Sequence, residues 1–213
     1  PNQARVAYLS MEIGVDAQLP TCCGGLGVLA GDTIKGSAEL NFPLVGVSLR
    51  HHKGYFEQEI EDSRQKEVLK RSNPFGVLRK RNEEVKVQIE GKDVTVGAEE
   101  YIIKNDCGNK VPIYFLDTRL DGNEVEDREI CETCYWMGKP TTYEEHQRHR
   151  FRQELVLGIG GVRFLEKLGY TIRKYHLNEG HTALATLEIA NRNNWDEKET
   201  KKNKKKTKVH ASG

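Results

Sequence analysis

The sequence lacks the features that would commit it to a membrane or to nucleic acid. No apolar run approaches the roughly 20 residues that a transmembrane helix needs. The chain starts at Pro1, with no basic segment leading into the apolar run of a signal peptide. Lys and Arg total 33 against 32 for Asp and Glu, so the formal net charge is only +1. The sequence therefore predicts a protein without membrane or nucleic-acid partners.

Cysteine is scarce and odd in number. The five cysteines are Cys22, Cys23, Cys107, Cys131 and Cys134. An odd count without a signal peptide is typical of free thiols in a reducing compartment, so we expect free thiols and a cytoplasmic location. The length of 213 residues is enough for one large domain or two small ones. Hydrophobic residues make up 37% of them, which is enough to build a core.

A glycine-rich turn at residues 23–31 organises the predicted fold. It follows a strand predicted at 5–10, opens a helix predicted at 27–40 and precedes a second strand at 44–49, which together form a βαβ unit. Glycine lets backbone N–H groups approach an anion, and a helix N-terminus offers unpaired N–H groups and a positive dipole end. The turn is therefore a candidate phosphate site. It matches neither the P-loop nor the G-x-G-x-x-G pattern, so a tight turn without a ligand is an equally good interpretation.

The rest of the chain predicts a mixed α/β protein. The segment 62–81 is charged and compatible with a helix as far as Asn73-Pro74, and the loop at 117–140 precedes the longest helix. Three glycines in that helix predict close backbone packing against the sheet. The predicted elements are a hairpin at 85–103 with its turn at Gly91-Lys92, a strand at 111–116, the long helix at 142–168 with Gly158, Gly160 and Gly161, a strand at 174–177 and a helix at 180–190.

The end of the chain differs in composition from the rest. From residue 191 onward it is rich in Asn, Asp, Glu, Thr and Lys, with seven lysines between Lys198 and Lys208. Such a segment buries too little apolar surface to fold by itself. We therefore predict one folded unit at 1–190 and a disordered, lysine-rich tail at 191–213.

A second motif, Asn178-Glu179-Gly180-His181, comes directly after the strand predicted at 174–177. In an open α/β sheet, ligands bind at the carboxyl ends of the strands. An amide, a carboxylate and an imidazole at that place are suited to recognising the hydroxyl groups of a sugar. The alternative is that His181 only packs or caps the start of the next helix, which for a single histidine is the better interpretation.

Two further groups of residues are weaker candidates. Cys131-x-x-Cys134 with His146-x-x-His149 has zinc-binding residue types, but the histidine spacing is tighter than usual. We prefer surface thiols and exposed helical histidines, and predict no metal site. His51-His52-Lys53 is predicted to be a solvated turn, with sugar or phosphate contact as the less favoured alternative.

Five segments in order resemble the N-terminal region of α-glucan (glycogen/starch) phosphorylases, best in their shorter bacterial and archaeal branch. The resemblance runs from residue 5 to about 190. The segments are Tyr8-Leu9-Ser10-Met11-Glu12-Ile13-Gly14, the glycine turn from Gly24 to Asp32, Lys53-Gly54-Tyr55-Phe56-x-Gln58, the run from Arg152 to Val162, and Tyr175-His176-Leu177-Asn178-Glu179-Gly180-His181.

The resemblance implies a Rossmann-like N-terminal domain of a GT-B glycosyltransferase fold, with an inserted β-hairpin region. It implies a pyridoxal 5′-phosphate cofactor whose 5′-phosphate serves in proton transfer. The implied reaction is the reversible phosphorolysis of α-1,4-glucan by inorganic phosphate to glucose 1-phosphate. The family includes allosteric enzymes, and homo-oligomer formation is left open.

The same resemblance implies roles for individual residues. Gly24 and Gly25 would border the cofactor phosphate, whereas Gly25, Leu26, Asn178 and His181 would contact substrate, with His181 as the catalytic residue. The Schiff-base lysine belongs to a C-terminal domain that no stretch of this chain matches. Gly14 stands where longer phosphorylases carry an aromatic that packs on the cofactor. We therefore expect the isolated chain to be inactive.

Two alternatives to an enzyme of this family remain at the sequence level. One is a non-catalytic module that binds glucan or a partner subunit. The other is a nucleotide-sugar glucan synthase of the same GT-B shape. In the synthases the turn usually reads Lys-x-Gly-Gly-Leu-Gly-Asp, whereas here Cys23 precedes the glycines and Val28 follows them, which argues against this alternative.

Overall fold

The computed structural model describes residues 4–68, 76–136, 142–192 and 208–212, the last range by its backbone alone. Of the helices within these ranges, none is both long and apolar enough to cross a bilayer. The strands are β1 Val6–Leu9, β2 Leu44–Leu49, β3 Glu57–Glu61, β4 Arg64–Val68, β5 Arg79–Lys80, β6 Val85–Ile89, β7 Lys92–Lys104, β8 Lys110–Asp117, β9 Lys174–Asn178 and β10 Lys208–Ser212. The helices are α1 Gly25–Glu39, α2 Val125–Arg128, α3 Tyr143–Leu155, α4 Gly161–Lys167 and α5 Ala185–Arg192, with single helical turns at Cys134–Trp136, Val156–Gly160 and Gly180–Thr182.

One eight-stranded sheet forms the centre of the fold. Its order is β10-β9-β1-β2-β8-β7-β5, with β6 also paired to β7. The strands from β10 to β8 run parallel, and β7 is antiparallel to β8. The predicted βαβ unit is confirmed, because β1 and β2 pair in parallel on either side of α1 in the chain. The predicted α/β class is confirmed as well.

The two faces of the sheet bury two separate apolar clusters. Alternate residues of one strand point to opposite faces, so Tyr8 packs in the cluster under α1 whereas Leu9 packs in the cluster under the C-terminal helices. Ile34 of α1 belongs to the first cluster, and Val162 and Phe164 of α4 belong to the second. The sheet is thus covered by helices on both faces, which leaves its carboxyl edge as the place where loops from several strands meet.

The predicted long helix is confirmed as α3, a π-helical turn and α4 in succession. Thr142 caps it, because its Oγ1 accepts the Glu145 N–H while the Glu145 carboxylate accepts the Thr142 N–H. The predicted close packing against the sheet is confirmed for Gly161, whereas Gly158 packs against the start of α5. A Cβ at Gly158 would lie 2.6 Å from the backbone nitrogen of Ala185, and one at Gly161 would meet Val47 of the sheet at 3.1 Å.

One turn and one charged segment differ from the sequence predictions. The β6–β7 hairpin forms as predicted, but Glu90 and Gly91 make its turn with φ of 52° and 80°, and Lys92 already belongs to β7. Two consecutive positive φ values are typical of the turn that matches the strand twist. The charged segment predicted at 62–81 is not helical as far as it is described: its residues Arg64–Val68 form β4, which pairs with β3 in a separate antiparallel hairpin. Residues 69–75 of the predicted helix lie outside the described residues.

The predicted disordered tail is wrong at its two ends. Helix α5 extends to Arg192, and Lys208–Ser212 forms β10, which pairs in parallel with β9. The outer edge of a sheet offers unpaired N–H and C=O groups that a further strand can satisfy. Residues 193–207 and 213 of that prediction lie outside the described residues, and the domain boundary at 190 stays a prediction.

Candidate functional site

The candidate site lies at the carboxyl edge of the parallel strands. Ser10 follows β1, Arg50 follows β2 and Glu179 follows β9, so these three chain segments leave the sheet side by side. The glycine turn comes back to the same edge, because the backbone N–H of Gly14 donates to the carbonyl oxygen of Gly27 at 2.9 Å. The two motifs predicted from the sequence are therefore brought to one edge of the fold, as expected for ligand sites in open sheets.

The glycine turn presents free backbone donors to an open surface. Gly24 precedes α1, and Gly24 and Gly25 are both exposed. Within the described residues, no atom lies within 4 Å of where a Cβ would stand at either glycine. No acceptor in that part of the chain bonds the N–H of Gly25 or Leu26, both in the first turn of α1. These two N–H groups, at the positive end of the helix, are placed to bind an anion.

The carboxylate of Glu12 holds the base of this turn. Its Oε2 accepts the N–H of Cys23 at 2.6 Å and that of Gly24 at 3.0 Å. Its Oε1 accepts the hydroxyl of Tyr135 at 2.7 Å. Glu12 is 3% exposed, and none of the salt bridges in the described parts of the chain involves it. One buried carboxylate therefore ties the end of β1, the start of α1 and the segment around Tyr135 together; we call this arrangement the Glu12 junction.

The prediction that all five cysteines are free is wrong. A disulfide joins Cys23 of the glycine turn to Cys134, across 111 residues of sequence. The other three cysteines, Cys22, Cys107 and Cys131, are free. The pairing arises because the Glu12 junction brings the residue before Gly24 and the residue before Tyr135 to the same carboxylate.

Asn178 and Glu179 have different environments within the second motif. Asn178 is buried, and its amide donates to Ser10 Oγ at 3.1 Å, which links the ends of β9 and β1. Glu179 has φ 65° and ψ 174°, a backbone region that is almost restricted to glycine. Its carbonyl oxygen accepts the Thr182 hydroxyl at 3.0 Å. Such strain costs about 1–3 kcal/mol and is concentrated at functional positions, which supports the choice of this motif as part of the site.

His181 is half-buried beside a cation and an aromatic ring. Arg150 Nη2 donates to His181 Nε2 at 2.9 Å, which places the imidazole proton on Nδ1. The Tyr135 ring lies 5.4 Å from the imidazole, and the Arg150 guanidinium carbon lies 5.2 Å from the centre of that ring. Burial, and then the charge of Arg150, lower the pKa of His181. The imidazole is therefore neutral at pH 7, and its buried Nδ1 has no partner in the described parts of the chain.

The predicted solvated turn at His51-His52-Lys53 is wrong. His51 is fully buried and its Nε2 lies 2.8 Å from the carbonyl oxygen of Met11. His52 Nε2 lies 2.9 Å from Asp117 Oδ2, and Lys53 Nζ lies 3.2 Å from Glu132 Oε1. The two histidines are held inside the loops at the carboxyl edge because each finds a partner there, which sequence composition does not reveal. The Lys53 side chain is still 36% exposed.

In its described parts, the structure does not form the zinc site that was the alternative for Cys131, Cys134, His146 and His149. Cys134 is paired with Cys23, and burial raises the pKa of the Cys131 thiol to about 12. His146 Nε2 lies 2.9 Å from the carbonyl oxygen of Tyr135. The preferred interpretation is wrong as well, because Cys131, Cys134 and His149 are buried rather than exposed at the surface.

Burial of His51 predicts a stability that falls in mild acid. Burial lowers the pKa of His51 in the folded state, so below about pH 6.5 the unfolded chain binds the extra proton. The stabilisation is thus present above that pH and lost as the pH falls, by up to about 1.4 kcal/mol per pH unit for each such histidine. We expect urea unfolding between pH 7 and pH 5 to show this loss, and His51→Gln, which keeps an N–H donor for Met11, to reduce it.

His181 is the second contributor, since its pKa is lowered in the same direction. The carboxylates of Asp117 and Glu188 have lowered pKa values and lose their contribution only at more acidic pH. His181→Gln should therefore remove a further part of the slope, and the double variant should remove most of it. A slope that His51→Gln leaves unchanged would contradict the neutral state assigned to this residue.

Sequence reasoning missed the residues that assemble the site. Glu12, Tyr135 and Arg150 connect the two motifs, yet only Glu12 fell within a segment that was singled out, and it was given no role. A usable signal existed for Glu12, since a carboxylate directly after a buried strand stands at the ligand edge of the sheet. Tyr135 and Arg150 had no such signal, because one lies in a predicted loop and the other in a charged helix.

The mixed sheet, with a glycine turn at the carboxyl edge of its parallel strands, defines an α/β protein of the class whose ligand sites lie at that edge. The sequence profile of the carbohydrate phosphorylase family matches residues 10–154, more than half of the chain. The chain therefore belongs to that family. The match begins at Ser10, directly after β1, and contains the glycine turn and Arg150, whereas His181 lies beyond it.

Individual relatives agree with the family assignment. The chain is 36% identical over 189 residues to the maltodextrin phosphorylase of Thermococcus litoralis, covering 86% of this chain and 21% of that protein. It is 34% identical over 190 residues to the glycogen phosphorylase of Aquifex aeolicus, covering 85% and 26%. It is 32% identical over 197 residues to the glycogen phosphorylase of Mycobacterium tuberculosis, covering 86% and 21%. The chain thus spans about a fifth to a quarter of the length of these relatives.

Proposed function

We propose that this chain is the N-terminal domain of a GT-B α-glucan phosphorylase, which transfers a glucosyl unit between α-1,4-glucan and inorganic phosphate to give glucose 1-phosphate. The observation that carries the proposal is the pair of free N–H groups of Gly25 and Leu26 at the exposed N-terminus of α1. Membership of the carbohydrate phosphorylase family supports it. The proposal includes a cytoplasmic location, where the Cys23–Cys134 pair would be kept reduced.

The geometry suits a site that holds phosphate next to a sugar. The N–H groups of Gly25 and Leu26 would bind phosphate oxygens, with Leu26 also at the edge of the glucosyl unit. Arg150 is half-buried, and none of the salt bridges in the described parts of the chain involves it, so its charge is available to an anion. Fixed donors and charges in such a site stabilise the charge that develops as the glycosidic bond breaks.

His181 is the proposed catalytic residue on the sugar side. Its Nε2 is taken by Arg150, so the remaining group is the Nδ1–H, which is able to donate to a hydroxyl or carbonyl oxygen. In this proposal Asn178 positions the motif: it is buried, and its hydrogen bond to Ser10 fixes the end of β9, which Glu179 and His181 follow. A neutral donor is suited to glucose, since a sugar hydroxyl is itself neutral.

Pyridoxal 5′-phosphate is the proposed cofactor of the complete protein, and this chain fits one end of it. Gly24 and Gly25 leave open space where a Cβ would stand, so a phosphate can approach the backbone there. When bound, the cofactor phosphate supplies a proton-transfer group. The resemblance assigns the Schiff-base lysine of such a cofactor to a segment that no stretch of this chain matches. We propose that this lysine belongs to a second domain.

We propose that the isolated chain is inactive. A GT-B site lies between two domains, and this chain contributes one side of it. Val28 and Leu29, beside the glycine turn, are 54% and 56% exposed, which fits a cleft that a second domain covers. A non-catalytic module that binds a glucan would use the sugar side of the site alone.

The test is a titration of the isotope-labelled chain with glucose 1-phosphate, followed by amide NMR. We expect saturable shifts of the Gly25 and Leu26 amides, because their N–H groups would bind the phosphate. Glucose at the same concentrations is the matched control, and should shift residues near His181 and the Leu26 amide at the edge of the glucosyl unit, but leave the Gly25 amide unmoved. A phosphorolysis assay with glycogen and phosphate should detect no glucose 1-phosphate from the chain alone.

Each outcome has a definite reading. If glucose 1-phosphate leaves the Gly25 and Leu26 amides unmoved, the turn is not a phosphate site and the proposed function fails. If a maltooligosaccharide shifts the residues around His181 while phosphate esters have no effect, the non-catalytic glucan-binding alternative is favoured. Release of glucose 1-phosphate by the chain alone would refute the proposed need for a second domain.

A further inference from the structure

The Glu12 junction also contains a set of metal-ligand atoms. The sulfurs of Cys23 and Cys134 and a carboxylate oxygen of Glu12 all lie within 4.8 Å of one another. Glu12 and Cys134 are buried and Cys23 is half-buried. Thiolate sulfur with carboxylate oxygen is a donor set that soft and borderline divalent cations accept.

We propose that, when the Cys23–Cys134 disulfide is reduced, the two thiolates and the Glu12 carboxylate bind one thiophilic divalent cation of the zinc and cadmium class. The site uses none of the residues proposed to bind phosphate or sugar, so it stands whether or not the proposed function holds. Its ligands come from three separate parts of the chain: the loop after β1, the glycine turn and the helical turn at Cys134–Trp136.

The spacing of the two cysteines is compatible with a metal between them. Their Cα atoms are 6.9 Å apart, just beyond the roughly 6.8 Å upper end of the usual disulfide range. Zinc–sulfur bonds of about 2.3 Å in a tetrahedral site place two sulfurs about 3.8 Å apart. Small rotations of the two side chains therefore take the sulfurs from a disulfide to a metal-bound pair without a large movement of the backbone.

The charges at the junction favour a cation in the reduced state. Two thiolates and one carboxylate bring three negative charges to a mostly buried place, and none of the salt bridges in the described residues offsets Glu12. A divalent cation changes the net charge of the ligand set from −3 to −1. Cys23 directly precedes the N-terminal Gly24 of α1, and a helix N-terminus favours both a thiolate and a residual negative charge.

Hydrogen bonds already orient the Glu12 carboxylate for this task. Tyr135 donates to Oε1 at 2.7 Å, which leaves that oxygen a further acceptor position. The N–H groups of Cys23 and Gly24 hold Oε2. Partners of this kind fix a metal ligand in place and tune its affinity. Cys23 is half-buried, so solvent reaches the ligand set from its side, and a water would complete the coordination as fourth ligand.

Binding of the cation to the oxidised chain takes two chemical steps. A dithiol reductant gives two electrons and two protons to the disulfide, forming two Cys–SH groups and a cyclic disulfide of the reductant. The divalent cation then replaces the two thiol protons, which are released to solvent. Oxidation of the pair by an oxidised dithiol reverses the first step and ejects the cation.

The experiment is a titration of the reduced chain with Cd²⁺. The chain is reduced with dithiothreitol, freed of it by gel filtration without oxygen, and titrated while sulfur-to-cadmium charge-transfer absorbance is recorded. We expect saturation at about one Cd²⁺ per chain with release of two protons per metal bound. The oxidised chain, whose sulfurs are bonded to each other, should show no such band.

Variants separate this site from adventitious thiol binding. Cys23→Ser and Cys134→Ser should each lose the saturable band, and Glu12→Gln should weaken Cd²⁺ binding by at least about tenfold. Cys22→Ser is the matched control, because Cys22 is the half-buried neighbour of Cys23 outside the ligand set, and it should bind as the wild type does. Circular dichroism of each variant shows whether it has folded.

Four results would overturn the proposal. The first three are a folded, reduced wild type that binds no Cd²⁺, a Cys22→Ser variant that loses the band as completely as Cys23→Ser, and a folded Cys134→Ser variant that keeps the full band. Unchanged affinity in folded Glu12→Gln would likewise remove the carboxylate from the ligand set and refute the three-ligand site.

Discussion

Gly31→Ala is expected to lower the free energy of unfolding by about 3 kcal/mol. A Cβ at Gly31 would lie 2.0 Å from the carbonyl oxygen and 2.9 Å from the carbonyl carbon of Gly14. Both atoms are backbone atoms, so no flexible side chain is able to move aside. Helix α1 or the loop after β1 has to shift instead, and the Gly14–Gly27 hydrogen bond lies in that contact. Equilibrium urea unfolding measures the loss.

Gly36→Ala is the matched control for this prediction. Gly36 lies on the same helix, and in the described residues nothing is within 4 Å of where its Cβ would stand. Alanine has the higher helix propensity, so this variant should be more stable than the wild type by about 0.5–1 kcal/mol. If the two variants had equal stability, the close approach of α1 to the Gly14 carbonyl would be refuted.

Gly25→Val is expected to abolish binding of glucose 1-phosphate while leaving the fold intact. The Cβ position at Gly25 faces open space, so the valine side chain occupies the volume through which a phosphate would reach the Gly25 and Leu26 N–H groups. Affinity should fall at least about tenfold, which is about 1.4 kcal/mol. The free energy of unfolding should change by no more than about 0.5 kcal/mol, as for other exposed positions. Amide NMR titration and urea unfolding of the same samples measure both quantities.

Leu29→Ala is the companion variant. Leu29 is exposed on the same helix, one turn beyond Gly25, and removal of its side chain leaves the first-turn N–H groups unobstructed. It should bind glucose 1-phosphate as the wild type does. Retained affinity in Gly25→Val would show that the phosphate does not approach the helix from this side.

The regular parts of the fold were predictable because local patterns determine them. The alternation of Val85, Val87 and Ile89 with polar residues predicts the β6 strand, and the glycine turn between two apolar runs predicts the βαβ unit. The long helix carries a Thr142–Glu145 capping pair at its start. In each case, neighbours in sequence supply the interactions that decide the structure.

The missed features depend on contacts between distant parts of the chain. Cys23 and Cys134 are separated by 111 residues, and nothing near either cysteine marks the other as its partner. The β3–β4 hairpin escaped because it has no buried face to produce an apolar alternation; its Ile60 is exposed. His51 is buried through a hydrogen bond to Met11, a contact that only the folded sheet edge creates. Of the candidate site, the sequence thus indicated the two motifs but not the residues that connect them.

The Glu12 junction has a thermodynamic consequence for ligand binding by this chain. Ordering one loop residue costs about 1–2 kcal/mol of conformational entropy, and the junction fixes the loop after β1, the glycine turn and the Tyr135 segment while the domain folds. A ligand that reaches this surface therefore binds to hydrogen-bond donors whose conformational entropy was already lost when the domain folded. Its affinity should depend on how many contacts the surface offers rather than on how much of the chain it must immobilise, as for a preformed receptor.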